Sequence, residues 1–320
     1  MELINLEDDS VEKKTYDLLI LGGGASAMTA AIYAARKMLK IALMTKDIGG
    51  QITYTSEIEN YPGFQAITGN ELTDKFQAQV KAFDIPIWLD NISKVRKEED
   101  LFYVETESET VFKGRTLIVA TGKRYRSLNV PGEKEFVGRG VAYCSTCDAP
   151  FYRNRNVVVA GGGNSAVTAA LDLLKVAKHV YLVNYSKGLQ ADPIMISSLE
   201  KFKDKLTLLD ESAITKIEGD KFVTGIYIKD RKDNKERIIE AEGIFIEIGL
   251  IPNSEIVKDF VELNKNNEIV VDYKCSTNIL GLFAAGDVTT VPHKQIIIAA
   301  GEGAKAALSA YEYLSKQGYV

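Results

Sequence analysis

The chain has 320 residues, of which 46% are hydrophobic and 26% charged, and its net charge is −5. This is long enough for two domains with full cores, and the acidic balance leaves no basic surface for nucleic acid, which we exclude as a partner. The N-terminus lacks the apolar run of a signal peptide and no stretch is apolar enough to cross a membrane, so the sequence predicts a cytoplasmic protein with no membrane partner.

Two copies of one nucleotide-binding pattern occur along the chain, each a strand, a glycine turn and a helix. The first is YDLLILGGGASAMTAA at 16–31, and the second is RNVVVAGGGNSAVTAA at 155–170. In each turn the first glycine allows the bend, the second lets a pyrophosphate approach the backbone, and alanine in the third position permits close packing of helix on strand. Two copies are much more specific than one, and they predict a flavin nucleotide and a nicotinamide nucleotide bound by one chain.

Strands on each side of the second copy predict that one domain is inserted into another. TLIVATG ends at residue 122 and is followed by polar residues and Pro131, and GIFIEIG ends at residue 249 and is followed by Pro252. We therefore predict an α/β fold with two Rossmann-like dinucleotide-binding domains, the second inserted into the first. Residues 1–119 and 245–320 form the discontinuous first domain and residues 120–244 the inserted one. Within the latter, alternating apolar and polar residues from 214 onward predict a small antiparallel meander.

The segment YCSTCDAP at 143–150 contains the most reactive chemistry of the chain. Cys144 and Cys147 are separated by two residues, and Asp148 follows directly. A structural zinc site needs four Cys or His ligands, but the third cysteine and both histidines are isolated, so no metal site is expected and a redox pair is favoured. An inert, buried thiol pair is the alternative.

Taken together, these motifs resemble the low-molecular-weight thioredoxin reductases and the C-terminal flavoprotein part of alkyl hydroperoxide reductase. The resemblance runs from about Tyr16 to the C-terminus and includes GGGASA, GGQ, EIENYPG, ATG, CSTCD, GGGNSA and LFAAGDV. The segment KQIIIAAGEGAKAALSA is closer to the peroxide-reductase flavoprotein. The sequence has no N-terminal thioredoxin-like domains with their own CxxC, which favours the thioredoxin reductases.

The resemblance implies FAD in the discontinuous domain and a redox disulfide in the inserted one. It assigns to FAD the residues Gly22, Gly24, Ser26, Gly50, Gln51, Asn60, Thr121, Gly122, Gly286, Asp287, Gln295 and Ile296. It further implies that Cys147 faces the flavin, that Cys144 attacks the partner's disulfide and that Asp148 manages the thiol proton. Rotation of the inserted domain on hinges at 120–122 and 247–249 is implied as well. From the residues alone, Asp148 is equally well explained as a helix cap.

The resulting hypothesis is an FAD-dependent disulfide reductase, a homodimer that acts on thioredoxin or a glutaredoxin-like protein. For a nicotinamide nucleotide, the second turn provides Gly161, Gly163, Asn164 and Ser165, and the end of the strand HVYLV provides Asn184. No arginine for a 2′-phosphate and no acid for a ribose hydroxyl follows the strand HVYLV, so we expect NADPH to be a poor donor and NADH a better one. Two alternatives stay open: a donor such as ferredoxin, reduced deazaflavin or another flavin, and a thiol or NADH oxidase that uses oxygen.

Overall fold

The structure is a computed structural model that describes residues 14–55 and 58–320, except the side chains of Thr146 and Cys147. Its strands in chain order are β1 (Thr15–Leu21), β2 (Ile41–Thr45), β3 (Ile87–Leu89), β4 (Ile92–Glu98), β5 (Leu101–Thr106), β6 (Val111–Val119), β7 (Lys123–Tyr125), β8 (Val141–Ala142), β9 (Asn156–Ala160), β10 (His179–Val183), β11 (Leu206–Leu209), β12 (Ser212–Gly219), β13 (Val223–Asp230), β14 (Glu236–Glu240), β15 (Gly243–Ile246), β16 (Leu250–Pro252) and β17 (Leu282–Ala284). The α-helices are α1 (Ala25–Ala35), α2 (Gly69–Lys81), α3 (Ser145–Asp148), α4 (Asn164–Leu174), α5 (Pro193–Leu199) and α6 (Ile296–Lys316).

The chain divides into two compact units. Unit 1 consists of Met1–Thr53, Tyr61–Arg124 and Ile251–Val320, and unit 2 of Tyr54–Asn60 and Tyr125–Leu250. The chain leaves unit 1 after Arg124 and returns to it at Ile251, and the turn after β6 packs within unit 1. There the Thr121 hydroxyl donates to the carbonyl of Asn253 at 2.7 Å.

Unit 1 is organised around a mixed sheet with the strand order β3-β2-β1-β6-β5-β4, in which β17 also pairs with β6. Strands β1, β2, β3, β6 and β17 are parallel, and β4 and β5 form the antiparallel edge. The four residues Leu18–Leu21 of β1 are fully buried, which is typical of a central parallel strand covered on both faces. In contrast, β4 buries only Val95 below a largely polar outer face.

Helices α1 and α6 cover one face of this sheet and pack closely against each other. Both are rich in alanine, a strong helix former with a small side chain. Gly303 allows the closest approach, since a Cβ added there would lie 2.0 Å from the carbonyl oxygen of Ser26. The contact places the first turn of α1 directly against α6.

Unit 2 contains a parallel sheet with the strand order β11-β10-β9-β15-β8 and a separate antiparallel sheet, β12-β13-β14. Val157, Val158 and Val159 of β9 are completely buried at its centre. The three-stranded sheet confirms the predicted meander. The parallel strands at the centre of the unit 1 sheet and the parallel sheet of unit 2 confirm the predicted α/β class with Rossmann-like units. No helix in the described ranges is both long and apolar enough to cross a membrane.

The packing of α1 on α6 gives a first testable prediction. Gly303→Ala should lower the free energy of unfolding by roughly 1–3 kcal/mol, because the methyl group has no room beside Ser26. Gly301→Ala is the matched control on the same helix, since a Cβ there meets nothing within 4 Å; it should be neutral or stabilising by up to about 1 kcal/mol. Urea denaturation of both variants tests this, and equal stabilities would contradict it.

Candidate active site

The first glycine turn connects β1 to α1. Gly22 has φ +127°, and a Cβ there would lie 2.2 Å from the carbonyl oxygen of Ala120, so only glycine fits. At Gly24 the nearest heavy atom to an added Cβ is 3.9 Å away, and the helix that starts here has no side-chain cap. The turn is therefore closed toward the sheet and open at the helix N-terminus, which suits a pyrophosphate.

A second loop lies against the same helix turn. Gly286 has φ +77°, and an added Cβ would be 2.7 Å from the Ser26 hydroxyl oxygen. The Gly286 N–H donates to the buried Glu302 carboxylate at 2.9 Å. Next to it, burial raises the pKa of Asp287, and among the described residues this carboxyl has no hydrogen-bond partner. A half-buried acceptor without a donor fits a cofactor that brings hydroxyl groups of its own.

Two lysines near Asp287 were not predicted from the sequence. Lys123 Nζ lies 2.5 Å from Glu268 Oε1, and the two side chains are only 9% and 14% exposed. Lys294 lies 3.8 Å from the same carboxylate and donates to the carbonyl of Thr289 at 2.6 Å. Both lysines lower the pKa of Asp287 and so oppose the effect of its burial. Near Asp287, unit 1 thus has two lysines and the Glu268 carboxylate, whose charges partly compensate one another.

The predicted residues of the GGQ and ATG segments also lie in unit 1. Gly50 and Gln51 begin a short 3-10 helix, Gly50–Tyr54, and Gln51 Nε2 donates to the carbonyl of Lys123 at 2.5 Å. Gly122, which follows Thr121, accepts the Asn253 N–H at 3.0 Å through its carbonyl. The Gln51 hydrogen bond thus connects the GGQ segment to the start of β7, and the Gly122 hydrogen bond connects the ATG segment to the residue after β16.

The remaining residues assigned to FAD fall in two places. Gln295 is the N-cap of α6 and Ile296 its first residue, and no side chain caps this helix end. Asn60, however, belongs to the segment Tyr54–Asn60, which clusters with unit 2. Unit 1 therefore holds these residues with the exception of Asn60.

The CxxC motif forms the short helix α3 in unit 2. Cys144 is its N-cap in extended conformation and is disulfide-bonded. The side chain of Cys147, the predicted partner, lies outside the described residues. Just before the motif, the Tyr143 hydroxyl donates to the buried Glu133 at 3.0 Å, which fixes the approach to the helix.

Asp148, the last residue of α3, is 7% exposed. Its Oδ1 is buried without a hydrogen-bond partner, and burial raises the pKa of the carboxyl to about 7. It does not cap the helix, which has no side-chain cap bond. Burial, followed by the Asp148 charge, also raises the pKa of Tyr152 to about 12. A carboxyl that titrates near neutral pH can hold or release a proton beside the cysteines.

The second glycine turn repeats the geometry of the first. At Gly161, with φ +141°, a Cβ would lie 2.3 Å from the carbonyl oxygen of Glu247, whereas at Gly163 it would meet nothing within 4 Å. Asn164 Nδ2 donates to Asp192 at 3.2 Å, and the Ser165 hydroxyl donates to the Glu247 carbonyl at 3.4 Å. The structure thus brings these four predicted residues together at the start of α4.

Asn184, the fifth residue of that set, is 2% exposed and already engaged. Its Nδ2 lies 2.7–2.9 Å from the carbonyls of Ser186 and Gly188 and from Asp210 Oδ1. Its Oδ1 is 2.1 Å from where a Cβ at Gly162 would be. The amide holds its own loop together, which leaves it no donor for a ribose hydroxyl.

An arginine approaches this loop from another part of the chain. Arg231, just after β13, places its guanidinium 3.9 Å above the ring of Tyr185 and donates to the Tyr185 carbonyl at 2.9 Å. Arg231 was not predicted as a site residue, because it lies 46 positions after Tyr185 and far from the residues that directly follow β10. Neither propensity nor spacing indicates this contact.

The family model described as pyridine nucleotide-disulphide oxidoreductase matches residues 16–304. The chain belongs to this family. Its members bind FAD and couple a nicotinamide nucleotide to a disulfide.

Individual members of the family and their solved structures are also similar to this chain. The chain is 42% identical over 309 residues to the F component of alkyl hydroperoxide reductase from Escherichia coli (strain K12), and 40% identical over 303 residues to a protein named NADH dehydrogenase from Bacillus subtilis (strain 168). Each alignment covers 95% of this chain but only 59% of the relative. The crystal structure of thioredoxin reductase from Streptococcus pyogenes covers 94% of this chain and 99% of its own, with 36% identity and a TM-score of 0.88.

These findings confirm the resemblance drawn from the motifs. This member of the pyridine nucleotide-disulphide oxidoreductase family is a thioredoxin reductase-like flavoprotein oxidoreductase. The curated relatives are longer than this chain, so their full activities do not transfer to it directly.

The pKa of Asp148 makes the stability of the enzyme depend on pH. Because the pKa in the folded state, about 7, lies above the ordinary value of 3.8, the folded state holds this proton more tightly and loses stability as the pH rises from about 4 to about 7. Asp148→Asn removes the ionisation, so it should raise the free energy of unfolding by roughly 1–3 kcal/mol at pH 8 and change it little at pH 4. The exposed Asp220→Asn is the control. Urea denaturation at both pH values measures the difference; a gain of equal size at pH 4 would contradict it.

Proposed function

We propose that this protein is an FAD-dependent disulfide reductase that passes electrons through a Cys144–Cys147 disulfide to thioredoxin or a glutaredoxin-like protein. The observation that carries the proposal is the CxxC helix, in which a disulfide-bonded Cys144 at the N-cap and a buried Asp148 with a free Oδ1 belong to the same short turn. A structural disulfide has no need of an acid that titrates near pH 7.

The FAD site is proposed in unit 1, where the residues present fit the cofactor. The open turn at Gly24 would hold the pyrophosphate, and Asp287 would accept hydroxyl hydrogen bonds that it lacks within the described chain. Gln295 and Ile296, at the uncapped start of α6, would present backbone N–H groups to the ring. When bound, FAD supplies the two-electron chemistry that connects a donor to the disulfide.

The chain's own residues would manage the thiol protons. Opening the disulfide with two electrons consumes two protons if both sulfurs become thiols. Asp148, protonated or ionised within the physiological range, would supply a proton to Cys147 and take it back as the partner's disulfide is reduced. Cys144 would attack that partner disulfide, which then leaves as a dithiol.

One disulfide cannot meet both the flavin and a protein partner at the same time. We therefore propose that unit 2 changes its position during turnover, with Gly122 and Gly249 among the residues that absorb the change. Both have positive φ values, +66° and +105°, and a Cβ at either would meet nothing within 4 Å. We further propose that the enzyme is a homodimer and works in the cytoplasm, where a CxxC pair is kept available for exchange.

Substitution of one cysteine tests the reaction. Cys147→Ser should leave FAD bound and the protein yellow but abolish electron transfer to thioredoxin, because no disulfide can form. Cys275→Ser is the matched control, since Cys275 is fully buried and burial raises its thiol pKa to about 11, which keeps it inert. Insulin-coupled thioredoxin reduction with a chemically or enzymatically reduced flavin gives the readout. Full activity of Cys147→Ser, or a colourless protein after reconstitution with FAD, would refute the proposal.

For the donor we propose that NADPH is poor and NADH better. The loop after β10 has no arginine, and Asn184 is occupied by its own loop. Asp210 accepts the Gly188 N–H at 2.8 Å, and this hydrogen bond is the largest cause of the lowered pKa of Asp210. The negative charge of Asp210 therefore lies beside the loop, where it would repel a 2′-phosphate. Arg231 does place a guanidinium at this loop, but that guanidinium donates a hydrogen bond to the Tyr185 carbonyl.

Anaerobic titration with each nucleotide tests the donor. NADH should bleach the visible flavin band faster than NADPH at equal concentration. Arg231→Ala tests whether Arg231 binds the 2′-phosphate. If NADPH bleaches the wild type quickly and the variant slowly, while the rate with NADH is the same in both, Arg231 binds the 2′-phosphate and the proposed preference is wrong. Bleaching by neither nucleotide would indicate a donor such as ferredoxin or another flavin.

A further inference from the structure

An acid that belongs to no sequence motif lies between two segments of unit 1 that are far apart in the chain. Glu268 Oε1 lies 2.5 Å from the Nζ of Lys123, the first residue of β7, and 3.8 Å from the Nζ of Lys294, two residues before α6. Its second oxygen, Oε2, accepts a side-chain N–H of Asn264 at 2.7 Å. One carboxylate therefore contacts two lysines and keeps a hydrogen bond of its own.

The main chain around this carboxylate is held by four hydrogen bonds. The Glu268 N–H donates to Asn264 Oδ1, and the Asn264 N–H donates to the Glu268 carbonyl, both at 2.9 Å. The next residue, Ile269, forms two hydrogen bonds with the backbone of residues 288–290, again at 2.9 Å. Because those residues directly follow Asp287, the backbone beside Glu268 is bonded to the Asp287 loop.

Each lysine connects the carboxylate to a segment that is assigned to FAD. The main-chain carbonyl of Lys123 accepts Nε2 of Gln51, in the GGQ segment, at 2.5 Å. Lys294 Nζ donates to two carbonyls of its own loop, one of them that of Thr289 at 2.6 Å. The residue after Lys294 is the N-cap of α6. Through its two lysines, Glu268 thus reaches both the GGQ segment and the start of α6.

The three charges of this cluster are largely withdrawn from water. The side chains of Lys123, Glu268 and Lys294 are only 9%, 14% and 19% exposed. Solvent screens such charges weakly, so each acts over a longer distance than it would at the surface. Two electrons and one proton reduce a flavin and leave it with one additional negative charge, and a charge near the ring shifts this equilibrium. Two cations and one anion before α6 therefore favour the reduced form.

We propose that Glu268 is a positioning residue of the FAD site, which holds Lys123 and Lys294 in place and sets the positive charge that the bound flavin experiences. Its carboxylate cancels one of the two lysine charges, which keeps the reduction potential of the flavin lower than the lysines alone would make it. The inference rests on the FAD site of the proposed function, but it requires neither the disulfide nor a nicotinamide nucleotide.

Substitutions that change the charge of the cluster by one in each direction test this. Glu268→Gln adds one positive charge and keeps the shape, Lys123→Met removes one, and the double variant restores the original total. Glu262→Gln is the matched control, because Glu262 is exposed and forms no ion pair within the described part of the chain. Every protein, including the parent, also carries Cys144→Ser and Cys147→Ser, so that no thiol pair competes with the flavin for electrons.

The readout is the midpoint potential of bound FAD, measured without oxygen against a reference dye during slow reduction by xanthine and xanthine oxidase. At a fixed dye ratio, Glu268→Gln should raise the ratio of reduced to oxidised flavin by about 3- to 10-fold, or roughly 15 to 30 mV for a two-electron couple. Lys123→Met should lower the ratio by a similar factor. The double variant should return to within about 2-fold of the parent, and Glu262→Gln should equal the parent.

Equal potentials for Glu268→Gln and Glu262→Gln would overturn the proposal. So would a double variant that stays as far from the parent as Glu268→Gln, since a defect of structure alone does not follow the sign of the charge. If Glu268→Gln fails to fold, the double variant, in which neither partner of the ion pair is left alone, is compared with Lys123→Met. Its potential should be higher by the same factor, and equal potentials would count against the proposal.

The same measurement separates this inference from the proposed function. Electron transfer to thioredoxin plays no part in it, so a failure of that transfer in the protein with both cysteines would refute the proposed function and leave this test unaffected. A parent protein that takes up no FAD would refute both.

Discussion

The close approach of a glycine turn to the end of a neighbouring parallel strand is the constraint on which both units depend. In unit 1 a Cβ at Gly22 would lie 2.2 Å from the Ala120 carbonyl, and in unit 2 a Cβ at Gly161 would lie 2.3 Å from the Glu247 carbonyl. Each turn is therefore fixed to the residue just beyond β6 or β15. The chain passes from one unit to the other shortly after each of these strand ends. In each unit, the sheet edge beside the glycine turn, where a dinucleotide-binding fold holds its ligand, is therefore also the edge at which the chain leaves that unit.

The two units deal with buried acids in different ways. In unit 1, Lys123 and Lys294 lie near Asp287 and offset part of the cost of burying its charge. In unit 2, no cation among the described residues contributes to the shifts of Asp148 or Glu247, and burial raises the pKa of each to about 7. The first arrangement preserves charge, as expected for a site that binds a polar cofactor. The second makes protons available near neutral pH, as thiol–disulfide exchange requires.

Local patterns predicted the parts of the site that are contiguous in sequence. The glycine turns, the CxxC pair with Asp148 and the meander each depend on neighbouring residues, and the sequence locates them. Glu247, Arg231 and the pair Lys123–Glu268 depend instead on tertiary contacts between distant segments; the last pair is 145 residues apart. No periodicity or spacing encodes such contacts. For Asp148, the residues left a helix cap and a proton carrier equally open, and its burial without a partner favours the second.

Asn184 shows why a fingerprint position does not by itself identify a ligand. The strand end after the second glycine turn is where an acid would read a ribose, and the amide there suggested a weaker substitute. In the fold, however, Nδ2 faces two carbonyls and the Asp210 carboxylate, all within 2.9 Å. An acid at this position would place its charge against three acceptors, so the usual residue for NAD is incompatible with this loop. The loop is built around an amide donor, and any nucleotide that binds here must be recognised by groups other than residue 184.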